Sequence, residues 1–185
     1  GLTDMAVVIV TISCLMWVAA LALTMSRRQM LAPVVSYLAL LVISFAEDAA
    51  RYQLLPVNGV ILTGWLAMTL VVTAVTVLQP QVLQAQRRGT AYITAGAVTG
   101  MALGLSAFSF GIAEHLLYSI MVLLTVIGAF AGMLFFSRTP KGEDVALHTG
   151  RFFRYMLAKG FPTVITVAMA GVAALLALAV SREIQ

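Results

Sequence analysis

Residues 94–136, TAGAVTGMALGLSAFSFGIAEHLLYSIMVLLTVIGAFAGMLFF, decide the fold. They read as two apolar helices joined by a short polar tip at Glu114 and His115. Gly96, Gly100 and Gly104 recur every four residues on the first helix, and Gly128 and Gly132 repeat that spacing on the second. Lipid tails are as apolar as leucine, so helices in a bilayer gain little by hiding side chains from them. Close backbone approach at small residues holds such helices together. With a tip near residue 112 and a rise of about 1.5 Å per residue, Gly96 comes to lie opposite Gly128. The stretch predicts a glycine-packed antiparallel hairpin, of the GxxxG kind, as the packing centre of a membrane protein.

The rest of the chain agrees on class. Of 185 residues, 62% are hydrophobic and only 10% charged, and the mean hydropathy is +1.03. A soluble domain is nearer half apolar and a quarter charged. Apolar runs of about 20 residues, each enough to span a hydrocarbon core roughly 30 Å thick, fall at about 5–25, 30–46, 57–78, 90–111, 116–137 and 161–180. The prediction is an all-α polytopic integral membrane protein of six transmembrane helices in a single domain over residues 1–185. No cleavable signal peptide is expected, because the first run is long enough to span.

Charge sets the orientation. Under a six-span count Arg27, Arg28, Arg87, Arg88, Arg138, Lys141, Arg151, Arg154 and Lys159 share one side, and only Arg51 and Arg182 fall on the other. Basic residues collect on the cytoplasmic side, so both termini are expected outside, in the inner membrane of a bacterium. The basic residues sit in short clusters between spans, which speaks for topology signals and against a nucleic-acid face. Aromatic residues cluster at both predicted interfaces, Tyr92, Phe135, Phe136, Phe152, Phe153 and Tyr155 at the inner one.

Few residues point to chemistry. No Asp, Glu, Lys, Arg or His falls in the middle third of a predicted span, which argues against a mid-membrane proton relay. The two histidines, His115 and His148, fall on opposite sides, so they cannot share one haem iron. Cys14 is the only cysteine and has no partner for a disulfide or a metal pair. No phosphate loop, HExxH or GxSxG motif is present. No cofactor or metal is expected.

Three groups remain. Glu47, Asp48 and Arg51 end the second span, and with Glu114 and His115 they form an outer cluster that could hold a cation or a zwitterion. The plainer reading is a solvated surface with local ion pairs. Trp65, Thr69, Thr73 and Thr76 share one face of the third span and could line a polar path, though such hydroxyls commonly bond back to their own helix. Arg151, Arg154 and Lys159, with Val145, Phe152, Phe153, Met156 and Leu157, form a basic amphipathic segment expected to meet anionic lipid headgroups at the inner interface. A short echo, Arg51-Tyr52 before Pro56 and Arg154-Tyr155 before Pro162, suggests an inverted repeat of three spans.

The expected function is a small transporter or channel for a solute or ion, or the membrane subunit of one. The alternatives are a non-catalytic subunit or scaffold of a larger membrane complex, including a homo-oligomer, and a lipid-processing enzyme. The last ranks below the others because no spacing matches a reaction's needs.

Overall fold

The computed structural model describes residues 2–26, 28–49, 59–78, 88–110, 114–140 and 151–184. Among these residues the chain is helical apart from short turns at 24–26, 28 and 138–139, and it carries no strand. Five long helices come first: α1 (Leu2–Leu23), α2 (Ala32–Ala49), α3 (Gly59–Leu78), α4 (Arg88–Ser106) and α5 (Glu114–Ser137). A short α6 (Arg151–Tyr155) then runs through a π turn at Met156–Gly160 into the sixth long helix, α7 (Phe161–Ile184). Two stretches, Leu116–Ser137 and Arg151–Leu178, are long and apolar enough to cross a membrane. The apolar helices at Val7–Leu23, Gln29–Ser44 and Leu62–Leu78 are shorter over the described residues.

The centre of the molecule is α7. Beyond Thr166 its sequence, VAMAGVAALLALAV over residues 167–180, has no polar side chain, and a helix apolar all round has no side to offer to water. It packs against α1, α2, α3, α4 and α5, and every residue from 162 to 177 is buried. Small residues let the neighbours come close. Over Gly171 the side chains of Met101 from α4 and Met121 from α5 occupy the space a Cβ would need.

The α4–α5 hairpin is a flank of this arrangement and not its centre, which corrects the expectation from residues 94–136. Of the apolar stretch in α5 33% is buried, against 83% of the stretch that includes α7. Within the hairpin the backbones meet directly. A Cβ on Gly96 would fall on the Gly128 carbonyl, one on Gly100 on the Leu124 carbonyl, and one on Gly132 on the Tyr92 carbonyl. No other residue fits at those three positions without separating the helices.

On the opposite flank α1 and α2 form a second antiparallel pair. A 3-10 turn at Gln29–Leu31 makes the corner. Pro33 lies in the first turn of α2, where backbone N–H groups have no helical acceptor and a missing one costs nothing. Ser13 donates to the Ala39 carbonyl across this pair at 2.9 Å, and Ser36 donates to the Thr166 carbonyl of α7 at 2.7 Å. The outward faces are apolar as well: Leu15 is 68% exposed, Leu70 63% and Phe135 68%.

Candidate functional site

At the end of the bundle where α1, α3 and α5 finish and α2, α4 and α7 begin, polar side chains gather in a way no other described region repeats. The local cause is Pro162. Its ring removes an N–H and crowds the carbonyl four residues earlier. The chain absorbs the fault with a π turn, in which the Phe161 N–H reaches back five residues to the Met156 carbonyl. Turns of this kind are frequent at functional sites.

Lys159 sits in that turn and is only 3% exposed. Its Nζ donates to Oε1 of Gln29 at 3.0 Å. An ammonium has only donors, so this contact fixes the amide, and Nε2 of Gln29 donates in turn to Oγ1 of Thr90 on α4 at 3.2 Å. Close by, Thr24, in the turn that follows α1, and Thr94 of α4 share a hydrogen bond of 2.9 Å. Four separate segments are tied at this end: the turn after α1, the corner before α2, α4 and the π turn.

Next to the lysine is a small cavity lined by Thr24, Gln29, Thr76, Lys159, Thr163 and Thr166, with Ala32, Ala158 and Pro162 completing the wall. Its volume is about 10 Å³, room for about one water-sized occupant. An aromatic cluster seals the neighbouring corner. Tyr155 stacks on Phe136 at 6.0 Å, Phe136 meets Tyr92 at 5.4 Å, and Phe152 meets Phe130 edge-on at 5.5 Å. Gly89 makes room for the Tyr155 hydroxyl, which hydrogen-bonds its backbone.

The residues singled out in the sequence fare unequally. Arg151 and Arg154 lie on the surface, as a headgroup contact requires, but Lys159 does not join them. The π turn adds a residue to the helical repeat, so a face counted from Arg151 at ordinary spacing does not continue through Lys159. The apolar half of that segment also divides: Phe152 is buried in the bundle while Phe153 and Leu157 face outward. Val145 lies outside the described residues.

On α3, Trp65 donates to the Tyr118 hydroxyl of α5 at 2.9 Å. Thr69 is buried, donates to its own helix at the Trp65 carbonyl, and meets Sδ of Met169 at 3.4 Å. Thr73 has a buried hydroxyl with no hydrogen-bond partner. Thr76 alone of this face lines the cavity. Of the outer cluster, Arg51 lies outside the described residues. Glu47 and Asp48 belong to the last turn of α2 and Glu114 and His115 to the first turn of α5, at the end opposite the cavity; their side chains also lie outside the described ones. No group of three His, Cys, Asp or Glu able to hold a metal occurs among the described residues.

Gln29, Thr24, Thr90, Thr94, Thr163 and Thr166 had no part in the sequence reading. One signal was available. Lys159, Thr163 and Thr166 follow at i, i+4 and i+7, one face of one helix, leading straight into the most apolar run of the chain. No protein-family model matches this chain, and neither does any curated protein or solved structure.

Proposed function

We propose that the chain is a six-span integral membrane protein of a bacterial inner membrane, with both termini outside, and that it moves a small solute or ion alone or as the membrane subunit of a larger system. The lysine cavity carries this reading. An ionisable side chain held inside an apolar helical bundle is costly in a bilayer and is kept there mainly for function. Support for the membrane comes from the outward leucines, valines and phenylalanines on α1, α3 and α5, which would form far larger apolar patches than a soluble monomer tolerates. The glycine contacts of α4 and α5 are of the kind that joins helices in lipid. The clustering of basic residues at this end supports a cytoplasmic position for the cavity.

The test has two arms. Single cysteines at positions 49, 85, 113 and 149, in a chain with Cys14 replaced by Ser, should label from outside at 49 and 113 only. Labelling of all four, or purification without detergent, ends the six-span reading. In proteoliposomes the wild type should pass Na⁺, K⁺, H⁺ or a small anion above the empty-vesicle rate, and absence of every flux ends the transport reading.

A second reading, a non-catalytic membrane subunit, draws on a different feature. The outer side of the hairpin has an open, nearly wholly apolar groove of about 480 Å³ between Tyr92, Gly96, Leu103, Leu124 and Phe135. A partner's transmembrane helix would fill it. Crosslinking from position 99 to a co-purifying protein, with no flux in vesicles, would favour this reading.

A further inference from the structure

We infer that the cavity beside Lys159 is a site for a small monovalent cation, and that the chain's own ammonium holds the place of that cation in this conformation. The argument is a count of protons. Oγ1 of Thr76 donates to the Val72 carbonyl, that of Thr163 to the Lys159 carbonyl and that of Thr166 to the Pro162 carbonyl, each at 2.8 Å. A carbonyl oxygen can only accept, and a threonine hydroxyl has a single proton. Each of these hydroxyls therefore has only lone pairs left for any other neighbour. Thr24 is in the same position, since its proton goes to the Leu21 carbonyl. The amide of Gln29 sends its N–H toward Thr90 and presents its oxygen to Lys159. The cavity is thus lined by residues whose hydroxyl and amide oxygens have only lone pairs to offer.

That wall rejects an anion, which would meet one ammonium and several lone pairs. It suits a positive charge of low valence. Hydroxyl and carbonyl oxygens are the ligands with which membrane proteins replace the water of Na⁺ and K⁺, whereas Ca²⁺ takes carboxylates, and none lines the cavity among the described residues. The volume of about 10 Å³ limits the occupant to one ion or one water. Lys159 is a compact point charge on a flexible stem, and Pro162 has denied its turn a regular hydrogen bond. Lysine and free ion then compete for one place.

This inference rests on the same cavity as the transport reading and names the ion class that site would take. Its test is a binding measurement that does not need transport. Purified wild type should melt at the same temperature in NaCl, KCl and choline chloride of equal ionic strength. Lys159→Ala should melt higher in NaCl or KCl than in choline chloride, by about 3 °C for each tenfold excess of ion over its Kd. Lys159→Arg, which keeps the charge, should show no such response. Equal melting of Lys159→Ala in all three salts overturns the inference. If that variant is recovered only in Na⁺ or K⁺, the inference stands. If it is recovered in no salt, Lys159→Met, which keeps the chain's volume, is read in the same way. Failure of both variants in every salt also overturns it, because added cation should have replaced the lost charge. A cation response without flux in vesicles removes the transport reading alone; flux without a cation response removes this inference alone.

Discussion

The α4–α5 hairpin and the lysine end of α7 hold helices together by opposite means. In the hairpin the contact is backbone on backbone: Gly96 faces Gly128, and Gly104 lies against the Met121 backbone. Nothing there can rotate out of the way, and nothing depends on protonation or on solutes. At the lysine end the contact runs through side chains, from Lys159 to Gln29 to Thr90, and these can rearrange. Rigid approach suits a strut, and an adjustable polar knot suits a site. The same bundle uses glycine where backbones meet and threonine, glutamine and lysine where side chains join the segments.

The sharpest way to break this contrast is to add carbon to the hairpin. Gly96→Val forces a side chain onto the Gly128 carbonyl, and only a separation of the two helices relieves it. Overpacking of this kind costs about 3 kcal/mol or slightly more, and should appear as a lower midpoint in SDS-titrated unfolding followed by circular dichroism. A midpoint unchanged from wild type would mean that the helices are not in backbone contact. Cutting the knot comes second. Gln29→Leu takes the acceptor from the Lys159 ammonium and the donor from Thr90 while keeping the side chain's bulk. Losing a hydrogen bond to a buried charged group costs about 2 kcal/mol, and the loss should be the same in NaCl, KCl and choline chloride, because Lys159 still holds the cation's place. A cost below about 0.5 kcal/mol would make the knot ornamental.

The helices were easier to read than the site. All-α architecture with six long helices follows from runs of apolar residues, and the meeting of Gly96 with Gly128 follows from equal distances to one tip, because both are local properties of the chain. Which helix lies in the middle is not local. The run at 161–180 resembled the other five, and what sets it apart is the lack of any polar side chain on any face between Ala168 and Ala177, a difference of degree. The cavity was harder still. Its lining comes from positions 24, 29, 76, 159, 163 and 166, brought together by three-dimensional packing, and the π turn at Pro162 displaced Lys159 from the face on which regular spacing puts it. The threonine stripe of α3 fits mainly the plainer of its two readings, although Thr76 also lines the cavity. Its spacing is real, but two of its hydroxyls, Thr69 and Thr76, are satisfied by their own helix.

The smallest effects separate polar contacts that join helices from those that do not. Ser36→Ala removes a single bond from α2 to the Thr166 carbonyl, and interhelical hydrogen bonds in membrane proteins contribute about 0.6 kcal/mol on average. Thr69→Val keeps shape and loses a bond within α3 together with a weak sulfur contact to Met169 of α7, so its cost should stay below that of Ser36→Ala. Gly64→Ala completes the series, because a Cβ at Gly64 meets nothing within 4 Å. There the substitution adds no clash and gains helix propensity, a stabilisation of up to about 1 kcal/mol. The three variants, measured in one SDS titration, should fall in the order Ser36→Ala, Thr69→Val, Gly64→Ala from least to most stable. A Thr69→Val variant less stable than Ser36→Ala would mean that the Met169 contact outweighs the Ser36 bond. A destabilised Gly64→Ala would point to a partner on this open face of α3, since the described residues offer nothing for the added methyl to strike.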